Sequence, residues 1–159
     1  MNRDNIGGKL LAVFVATLVG YIAFYQLDRW LRLRHGAWEI TFGNDGDTPS
    51  LTITESTLKI SDVKLAFAGE TNSNFGAPVH WRFDDVTKTN LPFGQVVFLD
   101  LTYLPGGVTM NFFGHEIELL PRTLVVNRRE VPWESGRTIT LLPEQKLPPD
   151  PPPKKKSQY

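Results

Sequence analysis

The sequence LLAVFVATLVGYIAFYQL, residues Leu10–Leu27, has no charged side chain and lies between Lys9 and Asp28. As a helix it would rise about 27 Å at ~1.5 Å per residue, close to the ~30 Å hydrocarbon thickness of a bilayer. The stretch therefore predicts one transmembrane α-helix within residues 10–35, preceded by a short N-terminal tail, residues 1–9.

The C-terminal flank of this segment favours a retained anchor over a cleaved signal peptide. A signal peptide has an apolar core of about 7–15 residues, followed by small residues at the cleavage site. Here the apolar run is longer, and basic and aromatic side chains follow it, as is typical of a membrane–water border. We expect this border to consist of Tyr21, Tyr25, Trp30, Arg29, Arg32 and Arg34.

One face of the predicted helix carries small residues at about one position per turn. They are Gly8, Ala12, Ala16, Gly20 and Ala23. Small side chains let a second helix approach closely and make van der Waals contacts that lipid does not match. Glycine is also common in membrane helices, so the pattern fits either a helix–helix interface or ordinary composition.

The flanking charges do not fix the side of the membrane that the rest of the chain occupies. Lysine and arginine are denser after the span, which favours a cytoplasmic domain, but long following domains translocate largely regardless of charge. Because the following domain is all-β, we expect it on the extracytoplasmic side of a bacterial-type inner (cell) membrane. The cytoplasmic side is the alternative.

From Ala37 onward apolar and polar residues alternate, beginning with Trp38, Ile40 and Phe42. This period of two indicates half-buried strands, and glycine- and proline-rich turns separate them at intervals of about 8–12 residues. Residues 36–143 are therefore predicted to form an all-β domain. The architecture expected is an antiparallel β-sandwich, or a partly open barrel, of about 8–10 short strands.

One strand of this domain is predicted to be central. Val97, Leu99, Leu101 and Tyr103 would form one face, and Val96 and Phe98 the other, so its first half is apolar on both faces. Apolar residues on both faces are typical of a strand with neighbours on each side.

Residues 144–159 are predicted to be a flexible tail, rich in proline and carrying three consecutive lysines, Lys154, Lys155 and Lys156. Such a segment adopts polyproline II structure and does not pair in a sheet. It fits a solvated terminus, a docking peptide or a contact with anionic lipid headgroups.

Composition and motifs exclude several classes of function. Lys+Arg and Asp+Glu both number 17, so nothing resembles the basic surface of a nucleic-acid-binding protein. There is no cysteine, which excludes disulfides, iron–sulfur clusters, thiolate zinc sites and cysteine nucleophiles.

The three histidines, His35, His80 and His115, are scattered along the chain, and none has a spacing typical of a metal site. On a strand Glu116 and Glu118 would share one face while His115 points to the other. We therefore expect no catalytic residue, metal, cofactor or specific small molecule.

Five further aromatic residues lie at or near predicted turns: Phe75, Phe93, Phe112, Phe113 and Trp133. An exposed cluster of such residues would form a surface for a protein partner or a membrane. The alternative is that they close the ends of the core.

Together these features favour a non-catalytic, single-pass membrane protein that is a structural or accessory subunit of a larger membrane complex. Its expected partners are the lipid bilayer and other transmembrane subunits. One alternative is a membrane-tethered carrier, with an apolar ligand held between the Val97–Tyr103 and Val108–Phe112 faces. A second is a membrane-bound hydrolase with a dispersed site, for example at His80, Arg82 and Asp84.

Overall fold

The computed structural model describes residues 6–32, 36–71, 77–85 and 90–148. One long helix, α1 (Ile6–Arg32), precedes a β domain, and a short 3-10 helix (Pro143–Gln145) follows the last strand. The strands are β1 (Glu39–Asp45), β2 (Thr48–Glu55), β3 (Ile60–Phe67), β4 (Val79–Arg82), β5 (Asn90–Leu91), β6 (Gly94–Asp100), β7 (Gly107–Phe112), β8 (His115–Leu119), β9 (Leu124–Val126), β10 (Arg129–Val131) and β11 (Thr138–Leu141).

The strands form two sheets. The first has the order β11-β3-β2-β1-β4 and the second the order β10-β9-β8-β7-β6-β5. All described strand pairs are antiparallel except β11 with β3, which is parallel. The helix followed by two mostly antiparallel sheets matches the expected class, and the described strands do not close into a barrel. The described residues form eleven strands, where eight to ten were expected, and three of these, β5, β9 and β10, have only two or three residues.

Alternation along the strands places their apolar side chains in the core. Ile40 and Phe42 of β1 and Met110 and Phe112 of β7 are all inaccessible to solvent. Burying one such side chain contributes about 1.5–3 kcal/mol. The core is therefore continuous between the two sheets, as a sandwich requires.

Strand β6 differs from its prediction as a central, doubly buried strand. It ends at Asp100, so Leu101 and Tyr103 lie outside it, and its register against β7 shifts between Val96 and Phe98. This bulge adds one residue to β6, so Val97 and Phe98 both face outward while Leu99 packs on the core. The two predicted faces were wrong because a bulge changes the phase of the alternation.

The segment that follows β11 is bonded to the β domain at its described end. The Leu147 amide donates to the Gly114 carbonyl oxygen over 3.0 Å, and Lys146 forms an ion pair with Glu70. These two residues belong to the segment 144–159 that was predicted to be a tail. The remainder of the predicted tail, 149–159, lies outside the described residues.

Candidate membrane and partner interface at the helix–domain junction

The C-terminal end of α1 is joined to the loop between β6 and β7. The Leu104 amide donates to the Arg32 carbonyl oxygen over 3.0 Å, which satisfies one of the carbonyl groups that every helix end leaves free. The Arg32 guanidinium carbon lies 5.2 Å from the centre of the Tyr103 ring. Asp28, one turn back, accepts from the Arg32 Nε over 2.7 Å and holds that side chain in place.

The same loop is ordered by a local hydrogen bond. The Thr102 amide donates to Asp100 Oδ1 over 2.8 Å, and bonds from the side chain and backbone of Thr102 hold the pKa of Asp100 below its usual range. Gly106 ends the loop with φ +71°, and a Cβ there would lie 2.0 Å from the Asp100 carbonyl oxygen. The loop that meets α1 therefore has one tightly determined path.

Two tryptophans close the end of the sandwich nearest to α1, here called the proximal end. Trp38 and Trp133 stack with ring centres 5.3 Å apart. The indole of Trp38 donates to the Gly106 carbonyl oxygen over 3.0 Å, and that of Trp133 to the Leu120 carbonyl oxygen over 2.9 Å. Trp38 therefore links the first sheet to the same loop that contacts Arg32.

A buried carboxylate also lies at the proximal end. Glu55, at the end of β2, is only 1 % exposed. Its Oε2 accepts from the Leu58 amide, and within the described part of the chain its Oε1 has no hydrogen-bond partner. A Cβ at Gly36 would lie 2.9 Å from that Oε1, so glycine allows the chain to enter the domain close to the carboxylate.

The predicted helix–helix residues lie on a helix that the β domain does not cover. Ala12, Ala16, Gly20 and Ala23 are all exposed, and a Cβ added at Gly20 would meet nothing within 4 Å. Gly8 is exposed too, but it makes a contact within the chain. The face from Ala12 to Ala23 is therefore sterically open to another helix.

The predicted border residues occupy the last three turns of α1. Tyr21, Tyr25, Arg29 and Trp30 are exposed and Arg32 is half-buried against Tyr103. Arg34 lies outside the described residues. By length and composition α1 could cross a membrane, although a signal sequence near an N-terminus meets the same criterion.

The predicted aromatic partner surface does not form as such. Phe112 is fully buried, so its assignment to a surface was wrong, because it lies on the inward face of β7 together with Val108 and Met110. Phe93 and Phe113 pack on the core at the end of the sandwich far from α1, where their rings lie 5.4 Å apart. Trp133 closes the proximal end against Trp38, and Phe75 lies outside the described residues.

The polar residues of the enzyme alternative share one exposed strand face. His80 Nδ1 lies 3.1 Å from the Thr41 hydroxyl, and Arg82 lies 3.8 Å from Glu39 and 3.5 Å from Asp84. These side chains are on the outer side of the edge strand β4 and its neighbour β1, where solvent reaches them. The cluster is an exposed ion-pair network, and none of its members lines either of two surface clefts found on the described β domain.

His115 is the buried histidine of the described chain. It is 1 % exposed, and Asn127 Nδ2 lies 3.0 Å from its Nδ1. Among the described residues, no group of three or more metal-binding side chains converges. In its surroundings His115 is a core residue with a satisfied ring nitrogen.

The two clefts also bear on the carrier alternative. One is lined by Leu120–Thr123, Glu130 and Pro132, and the other lies between β9, β10, β11 and the 3-10 helix. The faces expected to hold an apolar ligand are elsewhere: Val108 and Met110 are fully buried, while Val97 and Phe98 face solvent. The residues expected to hold an apolar ligand line neither of these two clefts.

The sequence reasoning missed three exposed apolar residues beside the helix junction, namely Val97, Phe98 and Tyr103. They are 59 %, 59 % and 55 % exposed, respectively. The four consecutive apolar residues Val96–Leu99 fit a strand buried on both faces as well as a bulged strand, so the sequence pattern did not reveal their exposure.

Comparisons with protein families, with curated proteins and with solved structures found no match.

Proposed function

We propose that this protein is a non-catalytic, single-pass membrane protein that serves as a structural or accessory subunit of a larger membrane complex. The observation that carries the proposal is the contact between α1 and the β domain, in which the Leu104 amide and the Tyr103 ring engage Arg32. Cleavage of α1 as a signal peptide would remove these contacts. The junction therefore favours a helix that stays attached and holds the domain beside the bilayer.

The helix itself supplies the second element of the proposal. A lone anchor needs only an apolar surface, whereas the small residues from Ala12 to Ala23 form a shallow, open face on one side of α1. In lipid, close backbone approach at such a face is a main source of helix–helix attraction. The proposed partner is a transmembrane helix of another subunit, with the β domain adding contacts outside the membrane.

For location we propose a bacterial-type inner (cell) membrane with the β domain on the extracytoplasmic side. Protease treatment of intact, right-side-out membrane vesicles should then degrade the β domain. Protection of the domain in those vesicles, together with its degradation in inverted ones, would place it in the cytoplasm instead.

The absence of cysteine allows a sharp test of the helix interface. A photo-crosslinker attached to Ala16→Cys is expected to form an adduct with one defined polypeptide in native membranes. The matched control is Leu18→Cys, which lies about 160° around the helix and should label lipid. Gly20→Ile should dissociate the same complex in mild detergent, and Leu18→Phe should leave it intact.

Two results together would contradict the subunit proposal. If Ala16→Cys and Leu18→Cys label alike, and if the native protein and Gly20→Ile both run as monomers, then the subunit proposal is wrong. The protein would then be a lone anchored domain.

A further inference from the structure

We infer that the β domain rests on the lipid surface through a second contact, an apolar patch formed by Val97, Phe98 and Tyr103. This inference rests on the proposed membrane anchoring by α1. It adds that the domain is held against the bilayer at two places, the helix and this patch.

The patch concentrates the apolar surface of the described β domain in one segment. The exposed large apolar side chains of that domain are Val79, Val97, Phe98, Tyr103 and Leu142. Three of the five lie within seven residues of one another, in β6 and the loop that follows it. Scattered exposed apolar residues need no explanation, but a group of this kind indicates a contact surface.

The bulge in β6 is what creates the patch. Without the register shift between Val96 and Phe98, one of the residues Val97 and Phe98 would face the core. With it, both side chains are directed outward and Leu99 is returned to the core. Bulges commonly re-aim side chains at functional surfaces, and exposing two large apolar side chains brings no stability to an isolated domain.

The location of the patch identifies the bilayer as its occupant. Tyr103 lies against Arg32 and is next to Leu104, whose amide is bonded to the end of α1. Phe98 precedes Asp100 by two residues, about 7 Å along an extended strand. The polar interface of a bilayer is about 5–8 Å deep on each side. Tyr103, beside Arg32, lies where α1 emerges, and Val97 and Phe98 lie in the strand that leads into the same loop.

The size and chemistry of the patch favour lipid over a protein partner. On the outer face of the second sheet, Phe98 pairs with Thr109, and Thr109 with Glu118, so the apolar surface ends at the next strand. A stable protein interface buries about 800 Å² and 20–30 residues on each side. Three side chains, two of them aromatic and flanked by Arg32, instead suit insertion among headgroups.

The test uses the full-length protein reconstituted in vesicles of phosphatidylcholine with a minor fraction of phosphatidylglycerol. An environment-sensitive fluorophore is attached to single cysteines at Val97→Cys and Phe98→Cys, and in parallel at Leu142→Cys, an exposed apolar position remote from α1. Labels at 97 and 98 are expected to shift to shorter emission wavelength, to be quenched by lipid-borne quenchers and to resist aqueous iodide. The label at 142 should behave in the opposite way.

A label at Leu18→Cys separates this inference from the proposed function. Suppose that this label is inaccessible to iodide while the labels at 97, 98 and 142 are all quenched by iodide. The helix is then anchored and the patch inference is wrong. If iodide quenches the label at 18 as well, the proposed membrane anchoring by α1 is wrong. Shielding of 98 in native membranes but not in pure lipid would show a protein occupant and would also overturn the inference.

Discussion

The side-chain amide of Asn127 donates a hydrogen bond to Nδ1 of the buried His115, and its orientation is set by two other bonds. Asn127 Oδ1 accepts from the Glu116 amide over 3.1 Å, and Nδ2 also donates to the Gln145 carbonyl oxygen over 2.7 Å. With Asn127 so held, Nδ1 of His115 must be an acceptor, and only the neutral imidazole provides that.

This arrangement predicts a loss of stability in acid. Burial, and secondarily the positive charge of Lys146, lower the pKa of His115, against a smaller opposing effect of Glu70. Because an unfolded histidine titrates near ~6.5, the unfolded chain binds more protons than the folded one between that pH and the lower folded pKa, so the free energy of unfolding decreases as pH falls across this range. Urea unfolding in mild detergent between about pH 7.5 and about pH 5 measures the effect.

The matched variants are His115→Gln and His80→Gln. The first should flatten the decline in unfolding midpoint below about pH 6.5, and the second should retain it, since His80 is exposed on β4. An unchanged decline in His115→Gln would assign the acid sensitivity to other groups.

The hydrogen bond of the Trp38 indole at the proximal end can be tested with a second tryptophan, Trp81, as the control. Trp38→Phe removes the indole bond to the Gly106 carbonyl oxygen and should lower the free energy of unfolding by about 1–3 kcal/mol. Trp81→Phe is the control, because the buried Trp81 indole nitrogen has no hydrogen-bond partner among the residues that the structure describes. Its replacement should cost clearly less or stabilise the fold, and equal losses in the two variants would contradict the role given to the Trp38 bond.

Two glycines with similar backbone angles should respond differently to alanine. Gly46 has φ +63° and open space around it, so Gly46→Ala should cost about 1–2 kcal/mol from the left-handed backbone alone. Gly106→Ala adds a collision with the Asp100 carbonyl oxygen and should cost about 3 kcal/mol or more. Chemical unfolding compares the two, and similar values would mean that the loop next to Tyr103 adapts easily.

Two phenylalanines test which aromatic side chains belong to the core. Phe112→Ala should reduce the free energy of unfolding by about 3–5 kcal/mol, because the ring is fully buried. Phe98→Ala should change it by about 0.5 kcal/mol or less in detergent. A large loss on truncating Phe98 would show that it supports the fold and would remove the reason to regard it as a contact residue.

The parts of this fold that could be predicted depend on local pattern. Trp38, Ile40 and Phe42 alternate strictly and form the predicted buried face, and the uncharged run from Leu10 to Leu27 lies within the one long helix. The faces of β6 could not be read in this way, because a single bulge at Val97 inverts them. Bulges are specified by pairing with the neighbouring strand, which composition does not encode.

The candidate contacts depended on non-local approach and so were harder to predict. Arg32 was expected at the membrane border, but its contact with Tyr103 joins residues far apart in the chain. Gln145 meets Asn127, the hydrogen-bond partner of His115, because the segment after β11 returns across the turn between β7 and β8. The spacing of residues in the sequence does not predict such a long-range contact.

The parallel pairing of β11 with β3 has a consequence for synthesis of the chain. Lys64–Phe67 receive their partners Thr138–Leu141 only after all the strands of the second sheet have been synthesised. Until then one long edge of the first sheet is open, and an open edge can pair with a neighbouring nascent chain. The first sheet is therefore expected to be completed late, when α1 has long since emerged, so that insertion precedes folding of the β domain.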